Sequence, residues 1–259
     1  MPTFEEVENI GVVLPLLRRS VPDADVLVVD DDSPDGTAAA AEAAGRELGQ
    51  IEVLRRGPKG GLGNAYRAGF QRGLDAGYDV LVQMDADLSH DPASVPVLIE
   101  AIRAGADIAV GSRYIPGGSI PNWPFYRRRL SRAGNRYATA MLRLGISDAT
   151  SGFRAYTAEA VQAIGVASTQ TTGYGFQIEV AHRAARAGLT VTEVPIIFAD
   201  RVRGTSKMSI RIVGEALGSV TVWGLRQRLA RIGMGRDRSS DLERHRGEER
   251  ERDGEEQER

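Results

Sequence analysis

The sequence predicts an α/β fold built on a mostly parallel sheet with helices on both faces. Short apolar runs alternate with longer amphipathic segments through the first half of the chain, the pattern of a β-α series. These runs are apolar almost throughout rather than at every second residue, which suits strands covered on both faces. Two of them end in acids, Asp30-Asp31-Asp32 and Asp85-Ala86-Asp87. In such sheets, ligands bind beyond the carboxyl ends of the strands.

The elements follow in order. Asp25–Asp30 (DVLVVD) reads as a buried strand and Gly36–Leu48 as a helix. Ile51–Arg55 is a short strand and Leu62–Ala76 a helix. Val80–Asp85 is a strand, and Asp91-Pro92 opens a helix to Ala104. Asp107–Ser112 is the next strand. After residue 113 a Gly/Pro loop, YIPGGSIPNWP, leads into an Arg-rich helix, Tyr126–Leu144. Shorter helices are expected near Thr157–Ile164 and Phe176–Ala187. Val191–Phe198 reads as a strand in which Pro195 marks an edge or a bulge. Ser209–Ile232 is a long amphipathic segment, for which core packing and surface contact are the two readings.

Composition narrows the function. The 259 residues suffice for one full core. A net charge of -2 argues against a strongly basic nucleic-acid binder, and no nucleic-acid partner is expected. With no Cys, disulfides, thiolate metal sites and Cys nucleophiles are excluded, and 3 His make a His-rich metal site a poor reading. No uncharged apolar run is long enough to span a bilayer, and MPTFEEVENI has neither the basic nor the apolar region of a signal peptide. A cytoplasmic setting is expected. Residues 236–259 hold 7 Arg and 10 acidic residues with one Leu. A segment so poor in apolar groups cannot offset its ordering entropy, so residues 233–259 are expected to form a disordered tail. The organisation is then a domain over residues 1–232, with a nucleotide and metal half (1–113) and an acceptor-side, lid-like half (114–232).

Asp85-Ala86-Asp87 is the strongest local signal. Two carboxylates two residues apart beyond a buried strand suit a hard divalent cation shared with a diphosphate. A solvated turn with an Asx cap before Pro92 is the structural alternative. The Asp30–Asp32 acids suit base or ribose hydrogen bonds, while Ser33 or Asp35 would cap the following helix.

Set in order, further segments carry a resemblance: PTFEE (2–6), VVDDDSPDGT (28–37), GPKGGLGNAY (57–66), MDADLSHDP (84–92), GSRY (111–114), SGFRAY (151–156) and DRVRGTSK (200–207). The chain resembles the family 2 inverting glycosyltransferases, and among them the polyprenyl (dolichyl) phosphate mannose synthases. The resemblance covers residues 1 to about 210, and the ordered set is far more specific than any one segment.

The resemblance implies a GT-A fold and transfer of mannose from GDP-mannose to a polyprenyl monophosphate lipid, with Mg²⁺ or Mn²⁺ as cofactor. It implies that Pro2, Phe4, Glu6, Val29 and Asp31 contact the nucleotide, together with Lys59 and the Asp85-Ala86-Asp87 segment. Asp85 and Asp87 match the metal and diphosphate ligands, and Ser89 stands where some members carry a Gln that also reaches the metal. Arg113, Arg127, Arg201 and Lys207 match basic residues around the diphosphate and acceptor phosphate. Lys59 and Lys207 are the chain's two lysines against 31 Arg, and both fall in matched segments.

Two departures stand out. Asp32 replaces a Gly that would allow positive φ, which Asp tolerates better than most residues. Relatives also carry a short apolar strand before the first motif, central in the sheet. That strand is expected to be missing here, with the true start upstream of Met1.

A polyprenyl monophosphate is largely dianionic near neutral pH, its second pKa being about 6. No residue is therefore expected to act as an essential base, unlike transfer to a hydroxyl. The helix carrying Arg127, Arg128, Arg129, Arg132 and Arg136 suits the headgroup region of an anionic bilayer; Arg129 and Arg136 are expected merely to solvate one face. A lipid acceptor requires peripheral contact with the cytoplasmic face of a membrane, directly or through an anchoring protein. His90 and His182 read as structural. The alternatives are a polyprenyl phosphate glucosyltransferase using a uridine nucleotide, and a non-catalytic sugar-nucleotide-binding subunit.

Overall fold

The computed structural model describes residues 1–57, 60–171, 173–199, 214 and 217–229, apart from the side chain of Tyr174. Lys59, Arg201 and Lys207 lie outside the described residues, as does the expected tail.

The first motif supplies a short strand, β1 (Pro2–Thr3), which pairs in parallel with β2 (Val26–Asp30), Pro2 opposite Val29 and Thr3 opposite Asp30. This strand lies within the first motif itself, whereas the apolar strand of the expectation would precede that motif. Met1 prolongs the ladder: its ammonium donates to Leu27 O at 2.8 Å and its carbonyl accepts from Val29 N at 2.8 Å. Burial lowers the pKa of this amine to about 5, although the nearby Asp85 carboxylate acts to raise it.

Helix α1 (Val7–Ser20) buries Ile10, Val13, Leu14 and Leu17, the i, i+3, i+4, i+7 pattern that puts one apolar stripe on the sheet. β2 continues into α2 (Thr37–Leu48) through a turn in which Asp32 has φ 57°, the left-handed conformation expected there. Asp35, not Ser33, accepts from Thr37 N at the start of α2. Ser33 instead donates to Asp30, which also accepts from Thr3; these bonds clasp the turn to β1. β3 (Ile51–Arg55) pairs in parallel with β2, and α3 (Leu62–Asp75) follows.

β4 (Val80–Gln83), a 3-10 turn at Pro92–Ser94, α4 (Val95–Arg103) and β5 (Ile108–Ser112) come next. The Arg-rich helix is α5 (Phe125–Leu142). The SGFRAY segment forms an unexpected strand, β6 (Arg154–Thr157), antiparallel to both β4 and β5. Then come α6 (Ala158–Ile164), α7 (Gly173–Ala187) and β7 (Val191–Pro195). Among the described strands β7 pairs with β5 alone, and of the edge or bulge that Pro195 suggested the structure has the edge. The strand orders are β1-β2-β3 and β4-β6-β5-β7.

Strand alternation fills both faces. Ala109 and Ala155 face the cluster formed by α1 and α4, whereas Ile108, Val110 and Tyr156 face the cluster formed by α3, α6 and α7. A third cluster joins α5 and α7 to Val220, so one face of helical residues 217–229 packs inward. No helix among the described residues is long and apolar enough to cross a membrane.

Candidate active site

The Asp85-Ala86-Asp87 turn lies just past β4. Ala86 is buried in the core, and Asp87 beside it is buried as well. Asp85 Oδ1 accepts the Tyr66 hydroxyl of α3 at 2.6 Å. Burial pushes the Tyr66 phenol well above its ordinary range, and the Asp85 charge adds to this; the proton therefore stays on the phenol. Asp87 Oδ1 accepts both the backbone N–H and the hydroxyl of Ser89, at 3.0 and 2.6 Å, while Leu88 between them has φ 60°. Ser89 is thus a buried brace for Asp87.

His90 is buried beneath this turn, stacked on Phe153 at 5.0 Å and edge-on to Phe198. Its Nδ1 accepts the Asp85 N–H at 3.2 Å. Burial lowers its pKa, so the ring is neutral and able to accept. Both His90 and His182, which stacks on Trp223 at 5.9 Å, sit in packing roles, as expected.

On the β1 side, Asp31 takes Arg56 at 2.8 Å and Gly60 N at 3.2 Å, holding these two residues at the end of β2. Glu6 accepts from Asn9 and donates its N–H to Thr37. Pro2 and Val29 are neighbours in the ladder, and Phe4 is half-buried just beyond.

The basic residues line another wall. Arg113 is buried and makes a two-pronged pair with Asp148, Nε and NH2 each at 2.7 Å, plus a bond to Thr150. Burial acts to raise the Asp148 carboxyl, but Arg113 prevails and holds it below the ordinary value. No motif pointed to Asp148; only the fold brings it opposite Arg113. Arg113 lies over Phe198 at 5.2 Å, Phe198 meets Trp123 edge-on, and Arg127 lies over Trp123 at 3.8 Å. This cation–aromatic ladder leads from the Asp85 turn to α5. Arg129 and Arg136 are exposed, as expected. Ala199 N donates to Ser89 O at 3.2 Å, so the chain enters the DRVRGTSK segment beside the acidic turn.

Two more residues had been given no role, Arg154 within the SGFRAY segment and Glu179 outside the quoted motifs. Arg154 is buried and gives its donors to three carbonyls, those of Ser151, Gln177 and Ala149. Glu179 on α7 accepts from Gln170 N, from Thr171 N and hydroxyl, and from Arg183. Burial acts to raise its pKa, but these donors hold it low. Among the described residues, no group of three or more His, Cys, Asp or Glu could form an all-protein metal cage. A pair of aspartates is instead the donor set for a hard cation whose remaining ligands are phosphate and water.

Residues 1–165 match Glycosyl transferase family 2. The chain is 49% identical over 238 residues to the undecaprenyl-phosphate mannosyltransferase of Micrococcus luteus, covering 90% of this chain and 98% of the relative. It is 46% identical over 232 residues to the polyprenol monophosphomannose synthase of Mycolicibacterium smegmatis, covering 89% and 88%. Its fold matches glucosyl-3-phosphoglycerate synthase from Mycobacterium tuberculosis, solved with Mn²⁺, uridine diphosphate and glucosyl-3-phosphoglycerate, with a TM-score of 0.61 at 20% identity over 88% of this chain and 77% of that one. With the expected GT-A architecture and the matched motifs in their order, the chain belongs to glycosyl transferase family 2.

Proposed function

We propose that the chain transfers mannose from GDP-mannose to a polyprenyl monophosphate with inversion, giving polyprenyl phosphate mannose and GDP. The observation that carries this reading is the braced Asp85–Asp87 pair at the end of β4, in a chain 49% identical to an undecaprenyl-phosphate mannosyltransferase.

Residues 1–113 take the nucleotide. Pro2, Phe4, Glu6, Val29, Asp31 and Lys59 hold the base and ribose side, and Asp85, Ala86 and Asp87 the diphosphate. Asp85 and Asp87, with Ser89 as support, are the residues that would hold Mg²⁺ or Mn²⁺, which when bound neutralises the leaving diphosphate. Arg113, Arg127, Arg201 and Lys207 supply charge-assisted bonds to the phosphate oxygens of donor and acceptor. The bond from the anomeric carbon to the diphosphate breaks as a bond to an acceptor phosphate oxygen forms. That oxygen is already ionised and needs no proton removed. The committed bonds of Glu179 fit this: it is not poised as a base.

Residues 114–232 serve the acceptor. Phe125, Tyr126 and Leu130 are 61%, 73% and 72% exposed on α5, among the exposed Arg128, Arg129, Arg132 and Arg136. Val222, Leu225 and Leu229 are exposed on residues 217–229, which the Tyr137–Thr221 hydroxyl contact at 2.7 Å ties to α5. Apolar side chains ringed by guanidinium groups suit the interface of an anionic bilayer. This supports a peripheral position at the cytoplasmic face, alone or with an anchoring protein.

The test is labelled GDP-mannose with polyprenyl phosphate vesicles, with Mg²⁺ or Mn²⁺ and with chelator, followed by extraction of lipid-linked label. Metal-dependent label in the lipid is expected. Label from UDP-glucose but not GDP-mannose would transfer the reading to a glucosyltransferase.

A further inference from the structure

Beside the acidic turn lies a space that none of the roles above uses. Gly152 stands in the segment entering β6. A methyl group built on it would lie 3.5 Å from Gln177 Nε2 and 3.6 and 3.8 Å from the two Asp85 oxygens. These are ordinary van der Waals distances, so a carbon-sized space is open there, walled by a carboxylate and an amide. Gly152 and Asp85 are both partly exposed, so the space opens outward.

Gln177 gives the second, independent observation. It is 2% exposed, yet its Oε1 has no hydrogen-bond partner. Buried amides left unmet are costly, and such exceptions call for an explanation. The structural duty of this residue is carried by its backbone carbonyl, which accepts from Arg154 NH1 at 3.1 Å. The side chain is therefore not needed to hold Arg154. From α7 its Nε2 reaches the same space that the Asp85 carboxylate borders just past β4.

A hydroxyl group satisfies both walls: its proton goes to a carboxylate oxygen, and its oxygen or a vicinal hydroxyl meets the amide. Because the sugar is joined directly to the diphosphate, its hydroxyls are what a donor presents next to the diphosphate ligands. We infer that Gly152, Gln177 and Asp85 form a subsite for a hydroxyl group of the transferred hexose, with Gln177 as a specificity-determining residue. This rests on the sugar-nucleotide reading above. A pocket built to hydrogen-bond a hydroxyl discriminates far better than an apolar one, because the wrong sugar leaves its buried polar groups unpaired.

Two substitutions test it in the full-length chain. Gly152→Ala fills the space at distances the protein accepts. Gln177→Leu removes the amide and keeps the backbone carbonyl. Calorimetry with Mn²⁺ present compares GDP, GDP-mannose and GDP-glucose. In each variant, GDP binding is expected to hold while the ratio of GDP-mannose affinity to GDP affinity falls about tenfold or more, the scale of one lost charge-assisted hydrogen bond. Gln177→Leu is also expected to melt no lower than wild type, since a buried acceptor left unmet is gone. Variants that keep the wild-type GDP-mannose to GDP ratio overturn the subsite alone, and so does an equal loss of both ligands. Should Gln177→Leu fail to fold, Gly152→Ala decides. A wild-type chain that binds neither GDP nor GDP-mannose overturns the reading of function, and the subsite with it.

Discussion

Asp148→Asn should be among the most damaging single changes outside the apolar core. Asp148 has no exposed surface and accepts from Arg113 N, Nε and NH2 at 3.1, 2.7 and 2.7 Å. The substitution keeps the shape but removes the charge, leaving a guanidinium 4% exposed without its counter-ion. Breaking one side of a buried pair costs about 3–5 kcal/mol. At about 2–4 °C per kcal/mol for a chain of this size, the melting temperature should drop by roughly 10 °C. The pH dependence has a definite sign. Asp148 has a folded pKa below its unfolded value, so its contribution is present above about pH 4 and is lost as pH falls through the folded value. Urea unfolding of wild type and Asp148→Asn from pH 7 downward should give curves that converge below about pH 4. Replacing both partners, Arg113→Met with Asp148→Leu, should cost less than Asp148→Asn alone, since neither charge is then stranded. A loss under about 1 kcal/mol at pH 7, or a double variant worse than the single, would refute the assignment of this pair as a stabilising strut.

Three further outcomes are expected. Tyr66→Phe keeps the stack on Phe176 but removes the phenol donor to Asp85; urea unfolding should show a loss of about 1–3 kcal/mol at pH 7. His90, with its folded pKa lowered by burial, makes stability fall as pH drops below the unfolded value of about 6.5, because only the unfolded chain then takes up a proton. His90→Asn should flatten that slope in pH-dependent melting. Arg201→Ala and Lys207→Ala should each lower turnover by about 10²-fold in the lipid-product assay, the scale of losing a charge-stabilising group, while donor binding without acceptor weakens less.

The sequence made the local half of this structure legible. β3 matches its expected bounds residue for residue, and β2 and α2 differ by one at the start, because their apolar runs end in turn residues. Helix α1 carries a legible stripe, Ile10, Val13, Leu14 and Leu17, which Pro15 in its interior obscures. β6 was not readable. A strand of Arg154-Ala155-Tyr156-Thr157 gains its place from antiparallel pairing with β4 and β5, which lie far earlier in the chain. The acidic turn was legible because both carboxylates lie in one short segment. Asp148, Tyr66 and Gln177 were not, because each acts on a partner at least 19 residues away, and only tertiary packing creates the contact.

The exposed face of α5 bears on how acceptor is to be counted. A protein resting on a bilayer finds a lipid headgroup by lateral search, so the governing quantity is molecules per unit area rather than per unit volume. On the proposed reading, inert lipid or detergent added to an assay spreads the acceptor over more surface without altering its bulk concentration. Rates should then follow mole fraction, and a Michaelis constant written in molar units would describe the preparation rather than the enzyme. Phe125, Tyr126 and Leu130 would in this way turn a scarce lipid in a large volume into a concentrated one on a small surface.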